Sequence, residues 1–543
     1  VLVAEAVGST LAQLGVRQVF GVVGSGNFHV TNALIAAGAR FVAARHEGGA
    51  ATMADSYARL SGEVSALSVH QGCGLTNAMT GITEAAKSRT PMLVIAAEAN
   101  QPDSNFYVDQ AALATAVGAR VLRVESAQTA VATVATACHI ARTERRTVLL
   151  NLPLAVQVQA ASESLRPPPA PEPAASAPDE ESLTRLVAAI TESERPVFVA
   201  GRGARSPSAR DALVDLADRC GALLATSAAA KGLFHDQPWS LDVSGGFASP
   251  LAAELIRGAD LVLGWGCALN MWTMRHGELI AADATVAQID LDGGAIGAQR
   301  QVDVGVVGDV AATAAATAPH VGHGQRYRSD AIHERITSSV RWRDVPFEDT
   351  STGNRIDPRT LTIALDELLP TERIVSVDSG NFMGYPSMFL TVPDERGFCF
   401  TQAFQSIGLG LASAIGAALA EPDRLSVACL GDGGALMSVA ELETVVRLGL
   451  PMVVVIYNDD AYGAEVHHFG PDGFDLATVR FPDTDIASIA RGFGFEGVTV
   501  RRRDDLSAVV DWIAGERRRP LLIDAKITDD GGSWWLKEAF RGH

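Results

Sequence analysis

CLGDGGALMSVAELETVVRLGLPMVVVIYNDDAYGAE, residues 429–465, ends one apolar run on Gly431, Asp432 and Gly433 and a second on Asn458, Asp459 and Asp460. LSVACL (425–430) predicts a buried strand, MSVAELETVVRLG (437–449) a helix, and MVVVIY (452–457) the next strand. Ser438 and Glu441 form a capping-box pattern at the helix start, and Gly449 followed by Pro451 supplies the stop. Such a crossover is right-handed, so both strands run the same way and finish on one edge of the sheet. Asp432 and Asp459 are therefore expected to converge beyond the carboxyl edge, where open α/β sheets bind ligands. Two carboxylates there are costly unless a cation meets them. Oxygen ligands at a turn suit Mg²⁺, and glycine backbone lets a diphosphate come close. A lone aspartate in a GDG turn is as readily a turn residue. A second aspartate 27 positions later (459 − 432), at the next strand end, makes the ligand pattern far more specific.

The rest of the 543-residue chain repeats this style. Short β-branched runs ending in Gly-rich turns alternate with amphipathic helical stretches, the pattern of βαβ units and parallel sheets. RPPPAPEPAASAPDE (166–180) holds too many prolines for helix or sheet, and a weaker break spans HVGHGQRYRSD (320–330) and FEDTSTGNRIDP (347–358). The expected organisation is α/β with three doubly wound parallel-sheet domains. They cover 1–162, 181–320 and 356–543, joined by a Pro-rich linker (163–180) and a second linker (321–355).

A net charge of −19 argues against nucleic acid or an anionic membrane as partner, since either needs clustered basic charge. Although 47% of residues are hydrophobic, the apolar runs are cut by Gly, Asp or Arg well short of a membrane span. VLVAEAVGSTLAQLGV (1–16) carries Glu5 and helical periodicity rather than a basic start and a cleavage site. The six cysteines (73, 138, 220, 267, 399, 429) form no CxxC pair, so neither a zinc site nor a disulfide framework is indicated. The expectation is a cytoplasmic enzyme acting on a small molecule.

The GDG turn, the helix and the paired strand end resemble the motif of the thiamine-diphosphate-dependent 2-oxoacid decarboxylase and acetohydroxyacid (acetolactate) synthase superfamily. The resemblance extends over nearly the whole chain and implies pyrimidine-binding, central Rossmann-like and diphosphate-binding domains, in that order. It implies Mg²⁺ held by Asp432, Asp459 and the carbonyl of Ala461, with Asp459 standing where the family usually has asparagine. Gly431, Gly433, Gly434, Asn458 and Tyr462 would line the cofactor. So would Ser379, Gly380 and Asn381, from VSVDSGNFMGYP (375–386). ARHEGGAATMADSYARLSG (44–62) resembles the family's stretch whose glutamate, here Glu47, hydrogen-bonds the pyrimidine and promotes the tautomer that removes the thiazolium proton. FQSIGLGLASAIGAALA (404–420) resembles the segment that bends the cofactor, with Ile407 under the two rings and Gln405 beside the pyrimidine. From residue type alone, Glu47 is equally a helix-dipole carboxylate and Ile407 equally a core residue.

Because Glu47 and the diphosphate site lie in different blocks, the resemblance implies a cofactor shared between two subunits. A homodimer is the minimum unit and a homotetramer the expected assembly. The central block, with RPVFVAGRGA (195–204), ADLVLGWGCALN (259–270) and VAQIDLDGGAIG (286–297), carries GxG turns that are weak signals by themselves. Some relatives bind FAD or ADP there. The arginine-rich FAD segment of acetohydroxyacid synthases is not recognisable at GCALNMWTMR (266–275), so FAD stays open and is not favoured.

Side chains above the thiazolium decide the reaction. Ser25, from FGVVGSGNF, and His70 and Gln71, from SVHQGCGLTNA, fall at predicted strand ends. Ser25 and His70 stand where benzoylformate decarboxylases carry serine and histidine, and histidine suits proton relay near neutral pH. Glu465 matches a proton-handling glutamate of pyruvate decarboxylases. His467 and His468 follow it, and neighbours on one element cannot both face one pocket. HQGCGLTNAMTGITEAAKSRTP (70–91) looks most like acetolactate-synthase-like enzymes. The resemblance thus points to decarboxylation of a 2-oxoacid with carboligation, acetolactate synthase-like. The alternatives are a non-oxidative decarboxylase of benzoylformate decarboxylase type and a flavin-coupled enzyme like pyruvate oxidase.

Overall fold

The computed structural model describes residues 1–161, 176–529 and 531–532. Most of the proline-rich linker lies outside the described residues, as does the C-terminal end. Three six-stranded sheets, every pairing within them parallel, account for the chain. The first contains β1 (Gln18–Gly21), β2 (Arg40–Ala43), β3 (Ser65–Val69), β4 (Met92–Glu98), β5 (Arg120–Arg123) and β6 (Thr147–Pro153). The second contains β7 (Pro196–Ala200), β8 (Leu223–Thr226), β9 (Ser240–Val243), β10 (Leu261–Trp265), β11 (Thr285–Asp290) and β12 (Val304–Val307). The third contains β13 (Arg373–Val377), β14 (Phe398–Phe400), β15 (Leu425–Gly431), β16 (Met452–Asn458), β17 (Glu496–Val500) and β18 (Leu521–Lys526). All seven residues of β16 are buried, as a Val-rich strand covered on both faces must be.

The first and third sheets are wound identically, β2-β1-β3-β4-β6-β5 and β14-β13-β15-β16-β18-β17. The central sheet runs β12-β11-β10-β7-β8-β9, the reversing order of dinucleotide-binding folds. One hydrophobic core joins first and third domains: Met53 and Ala54 of helix Glu47–Ser61 lie with Leu411 and Ile415 of helix Gly410–Ala420. These helices approach so closely that a Cβ on Gly416 would stand 2.3 Å from the Met53 carbonyl oxygen.

Two local expectations change. The second linker contains a helix, Asp330–Ser339, whose Ile336 packs into the central domain's core with Val340. Ile356 then pairs with the third sheet through a bridge to Ile527. The helix expected over 437–449 begins only at Glu441 and runs to Leu448, a separate short helix, Asp432–Met437, precedes it, and the capping box does not form. Ser438 Oγ turns back to donate to the Gly434 carbonyl at 3.0 Å. Glu441 is drawn away by the first domain, accepting the backbone N–H of Arg45 at 3.0 Å and of His46 at 3.1 Å. Gly449 does end the helix, in the left-handed conformation at φ 64°.

Candidate active site

Two clusters form at carboxyl edges, one on each of the identically wound sheets. On the third sheet, β15 delivers Gly431 and begins a helix at Asp432, while β16 delivers Asn458 and Asp459. Asp432 and Asp459 follow directly on Gly431 and Asn458 at the ends of these two paired strands. Burial pushes Asp432 up to about 6, with the charge of Asp460 adding to it. Burial first, then the neighbouring Asp432 charge, raises Asp459 well above the carboxylate range. Glycines make the room. A Cβ on Gly463 would stand 2.2 Å from Asp459 Oδ2, one on Gly433 2.7 Å from the Tyr462 ring, and one on Gly434 2.3 Å from Asp378 Oδ2. Asn381 is buried after β13, and Gly380 precedes it at φ 143°. A cavity of about 370 Å³ opens here, lined by Asn381, Asp459, Ala461, His467, Arg480 and Asp529.

Behind the loop, Asp460 is held at φ 56° by the Arg355 guanidinium and by Lys526, whose Nζ lies 3.7 Å from its carboxylate. Asn458 is also committed to this layer: its amide donates to Asp524 at 2.8 Å and accepts the Asp460 N–H at 3.1 Å. His467 faces the cavity and lies 3.7 Å from Asp529, whereas His468 packs edge-on against Phe469. Glu465 stands in the first turn of helix Gly463–Phe469 and is half-buried.

On the first sheet, Ser25, Glu47, His70 and Gln71 gather at the ends of β1, β2 and β3. Ser25 Oγ is 3.4 Å from His70 Nε2, and His70 Nδ1 is 3.1 Å from the Gln71 carbonyl oxygen. The His70 ring packs at 5.1 Å on Phe106. Gln71 is buried, and its Oε1 has no partner among the described residues. Glu47 opens helix Glu47–Ser61, where the His46 ring nitrogen caps Gly48 at 3.0 Å, and Asn77 donates to Glu47 Oε2 at 3.0 Å. A Cβ on Gly74 would touch His70 Cβ at 3.2 Å and Glu47 Oε1 at 3.5 Å, so one small residue separates imidazole from carboxylate. Gln405 and Ile407 lie on the loop before helix Gly410–Ala420. Gln405 is exposed at φ 60°, and Ile407 is half-buried, not a core residue.

Three family models match in order. The N-terminal TPP binding domain of thiamine pyrophosphate enzymes matches residues 2–117, their central domain 183–317, and their C-terminal TPP binding domain 378–525. The chain belongs to the thiamine pyrophosphate enzyme family. Its relatives include a sulfoacetaldehyde acetyltransferase of Castellaniella defragrans, 27% identical across 98% of this chain and 94% of the relative. Others are the acetolactate synthase large subunit of Parasynechococcus marenigrum, 27% identical across 96% and 87%, and a protein named probable 2-ketoarginine decarboxylase of Pseudomonas aeruginosa, 29% identical across 91% and 88%.

As a thiamine-diphosphate (thiamine pyrophosphate) enzyme acting on 2-oxoacid-type substrates, the chain has a site that suits its cofactor. The third-domain cradle would be filled by any Cβ, and it holds two buried carboxyls whose ionisation burial opposes, a donor set that a divalent cation would relieve. Among the described residues no cluster of three His, Cys, Asp or Glu side chains competes for a metal. No described helix is long and apolar enough to cross a membrane.

Sequence reading passed over Asp378, Glu84 and Arg59, and it read Glu441 only as half of a capping box. Asp378 is fully buried one residue past β13, pushed up to about 6 by burial against the pull of several backbone N–H groups. Its signal was an aspartate ending the apolar run VSVD. Glu84, in the last turn of the helix Cys73–Lys87, gave no signal beyond its being flanked by small residues.

Proposed function

We propose that the chain is a Mg²⁺- and thiamine-diphosphate-dependent enzyme that decarboxylates a 2-oxoacid and ligates the product to a second carbonyl, acetolactate synthase-like. The observation that carries the reading is the grouping of Glu47 and His70 around Gly74 in the first domain, with Ser25 against His70, and the Asp432–Asp459 cradle on an identically wound sheet in the third. The acetolactate synthase large subunit among the relatives supports ligation over simple release.

In this reading Asp432, Asp459 and the Ala461 carbonyl hold Mg²⁺. Gly431, Gly433, Gly434, Ser379, Gly380, Asn381, Asn458 and Tyr462 shape the diphosphate pocket. Ile407 and Gln405 support the rings, and Glu47 exchanges a proton with the aminopyrimidine. When bound, thiamine diphosphate supplies the carbon nucleophile and the electron sink. Ser25, His70, Gln71 and Glu465 orient the substrate and move its protons. Among the described residues no hydrogen bond or ion pair links Glu47 or His70 to Asp432 or Asp459, which fits a site shared between two copies, a homodimer at least and a homotetramer by family analogy.

The Ser25–His70 contact favours a second reading, aldehyde release of benzoylformate decarboxylase type. The two readings separate on products from pyruvate and from benzoylformate with Mg²⁺ and thiamine diphosphate added. If His70 relays the proton that frees an aldehyde, His70→Ala should slow aldehyde release on the order of 10² or more while sparing ligation, because only release protonates the reacting carbon. An unchanged ratio of aldehyde to ligated product would remove His70 from the relay and leave it an orienting role.

A third, flavin-coupled reading rests on a cavity of about 440 Å³ where β7, β10 and β11 end, lined by Gly201, Arg202, Gly266, Cys267 and Asp290 and closed by Arg59 of the first domain. Its size and position suit a nucleotide. FAD there should give the purified protein a flavin absorption spectrum, and its absence after incubation with FAD would dismiss this reading.

A further inference from the structure

The segment Thr401–Leu409, which carries Gln405 and Ile407, has no regular secondary structure and two left-handed residues, Gln405 at φ 60° and Gly408 at φ 88°. Such a conformation persists only when its surroundings impose it. Two buried carboxylates do so from opposite ends. At one end Asp378 accepts the N–H of Gly408 at 3.0 Å and of Leu409 at 3.1 Å. At the other Glu84, reaching across from the first domain, accepts the N–H of Ala403 at 3.0 Å and of Phe404 at 2.6 Å. Ile407 lies between these grips.

Glu84 is braced in turn. Arg59 donates to its Oε1 at 2.7 Å, to Asp55 at 2.9 Å and to the Phe400 carbonyl at 2.9 Å, so the same network holds the chain just ahead of the loop. Thr90 donates to Asp55 at 2.6 Å. Burial of the Glu84 carboxyl opposes its charge, but the Arg59 guanidinium and the two backbone N–H groups outweigh it and keep its pKa lowered. A buried ion pair is a poor source of stability compared with apolar packing. What this one fixes is the path of an irregular segment ending in a half-buried isoleucine.

We propose that Glu84, braced by Arg59, is a positioning residue that sets where Ile407 stands against the cofactor. The proposal rests on the thiamine-diphosphate reading above. Glu84→Gln retains one acceptor but turns an amide NH₂ toward a backbone N–H, so one end of the loop is released while Asp378 and the Asp432–Asp459 cradle are untouched.

Two measurements test it on the full-length protein. Amide hydrogen exchange across 401–409 should rise on the order of 10-fold in Glu84→Gln, as expected for loss of a charged hydrogen bond. At saturating thiamine diphosphate and Mg²⁺, exchange of the thiazolium proton should slow about 10- to 100-fold, the usual effect of a small misplacement, with cofactor affinity nearly unchanged. Thr90→Val loosens the outer end of the network and should leave proton exchange as in wild type. If Glu84→Gln does not fold, Glu84→Asp keeps the charge, withdraws it by one methylene and should show the same pattern. Normal loop protection together with wild-type proton exchange in the variant would overturn the proposal alone. A wild-type protein that fails to bind thiamine diphosphate would overturn the cofactor reading and this proposal with it.

Discussion

Glu47→Gln is expected to bind thiamine diphosphate like wild type yet exchange the thiazolium proton about 10² to 10⁴-fold more slowly, the span typical of a lost acid–base group. The structure makes this substitution a clean one. Asn77 donates to Glu47 Oε2, and a glutamine oxygen can accept the same hydrogen bond. The helix start is secured by the His46 cap on Gly48 rather than by Glu47, so melting temperature should hold. Only the capacity to take and return a proton is removed. Proton exchange at the wild-type rate in a cofactor-saturated variant would refute the assignment of Glu47.

Asp432→Ala should abolish cofactor retention. Asp432 and Asp459 are both buried at adjacent strand ends, and removing one leaves a diphosphate facing a single buried carboxylate with too few ligands to hold a cation. Unchanged affinity by calorimetry would refute the metal assignment. The same pair predicts a pH response in the wild type. Metal-free, the folded pair binds more protons than the unfolded chain, so its contribution to stability is present in acid and is lost as the pH rises through about 6. Mg²⁺ competes with those protons, so its uptake should strengthen over the same rise and release protons. Melting curves with and without Mg²⁺ from pH 5 to 8 check both signs, and curves that stay parallel across that range would refute the coupling.

What the sequence disclosed was local and periodic. The runs ending at Gly431 and Asn458 are buried strands on both faces, so their hydrophobicity and their polar stops were unmistakable, and Asp432 and Asp459 came with them. Ser25, Glu47 and His70 also lie just beyond β1, β2 and β3, but it was the family resemblance of their stretches that singled them out. Long-range demands on ordinary residues stayed hidden. Glu441 looked like half of a capping box because it sits three residues after a serine; its carboxylate instead serves Arg45 and His46. Glu84 carries no local mark of its role, because the Ala403 and Phe404 N–H groups that it accepts lie 319 and 320 positions away.

Those cross-domain bonds also set a timetable for biosynthesis. The first sheet can pair as soon as it leaves the ribosome, but the turn before Glu47 receives its hydrogen bonds from a residue nearly four hundred positions downstream, across a separation of 396. Glu84 likewise waits for partners 319 and 320 positions away. Domains emerge and fold in order from the N-terminus, and contacts so distant close last. A nascent chain halted before the third domain can therefore own a folded first domain whose turn at Arg45 and His46 still lacks its acceptor, and the geometry around Glu47 is completed only when translation has delivered Glu441.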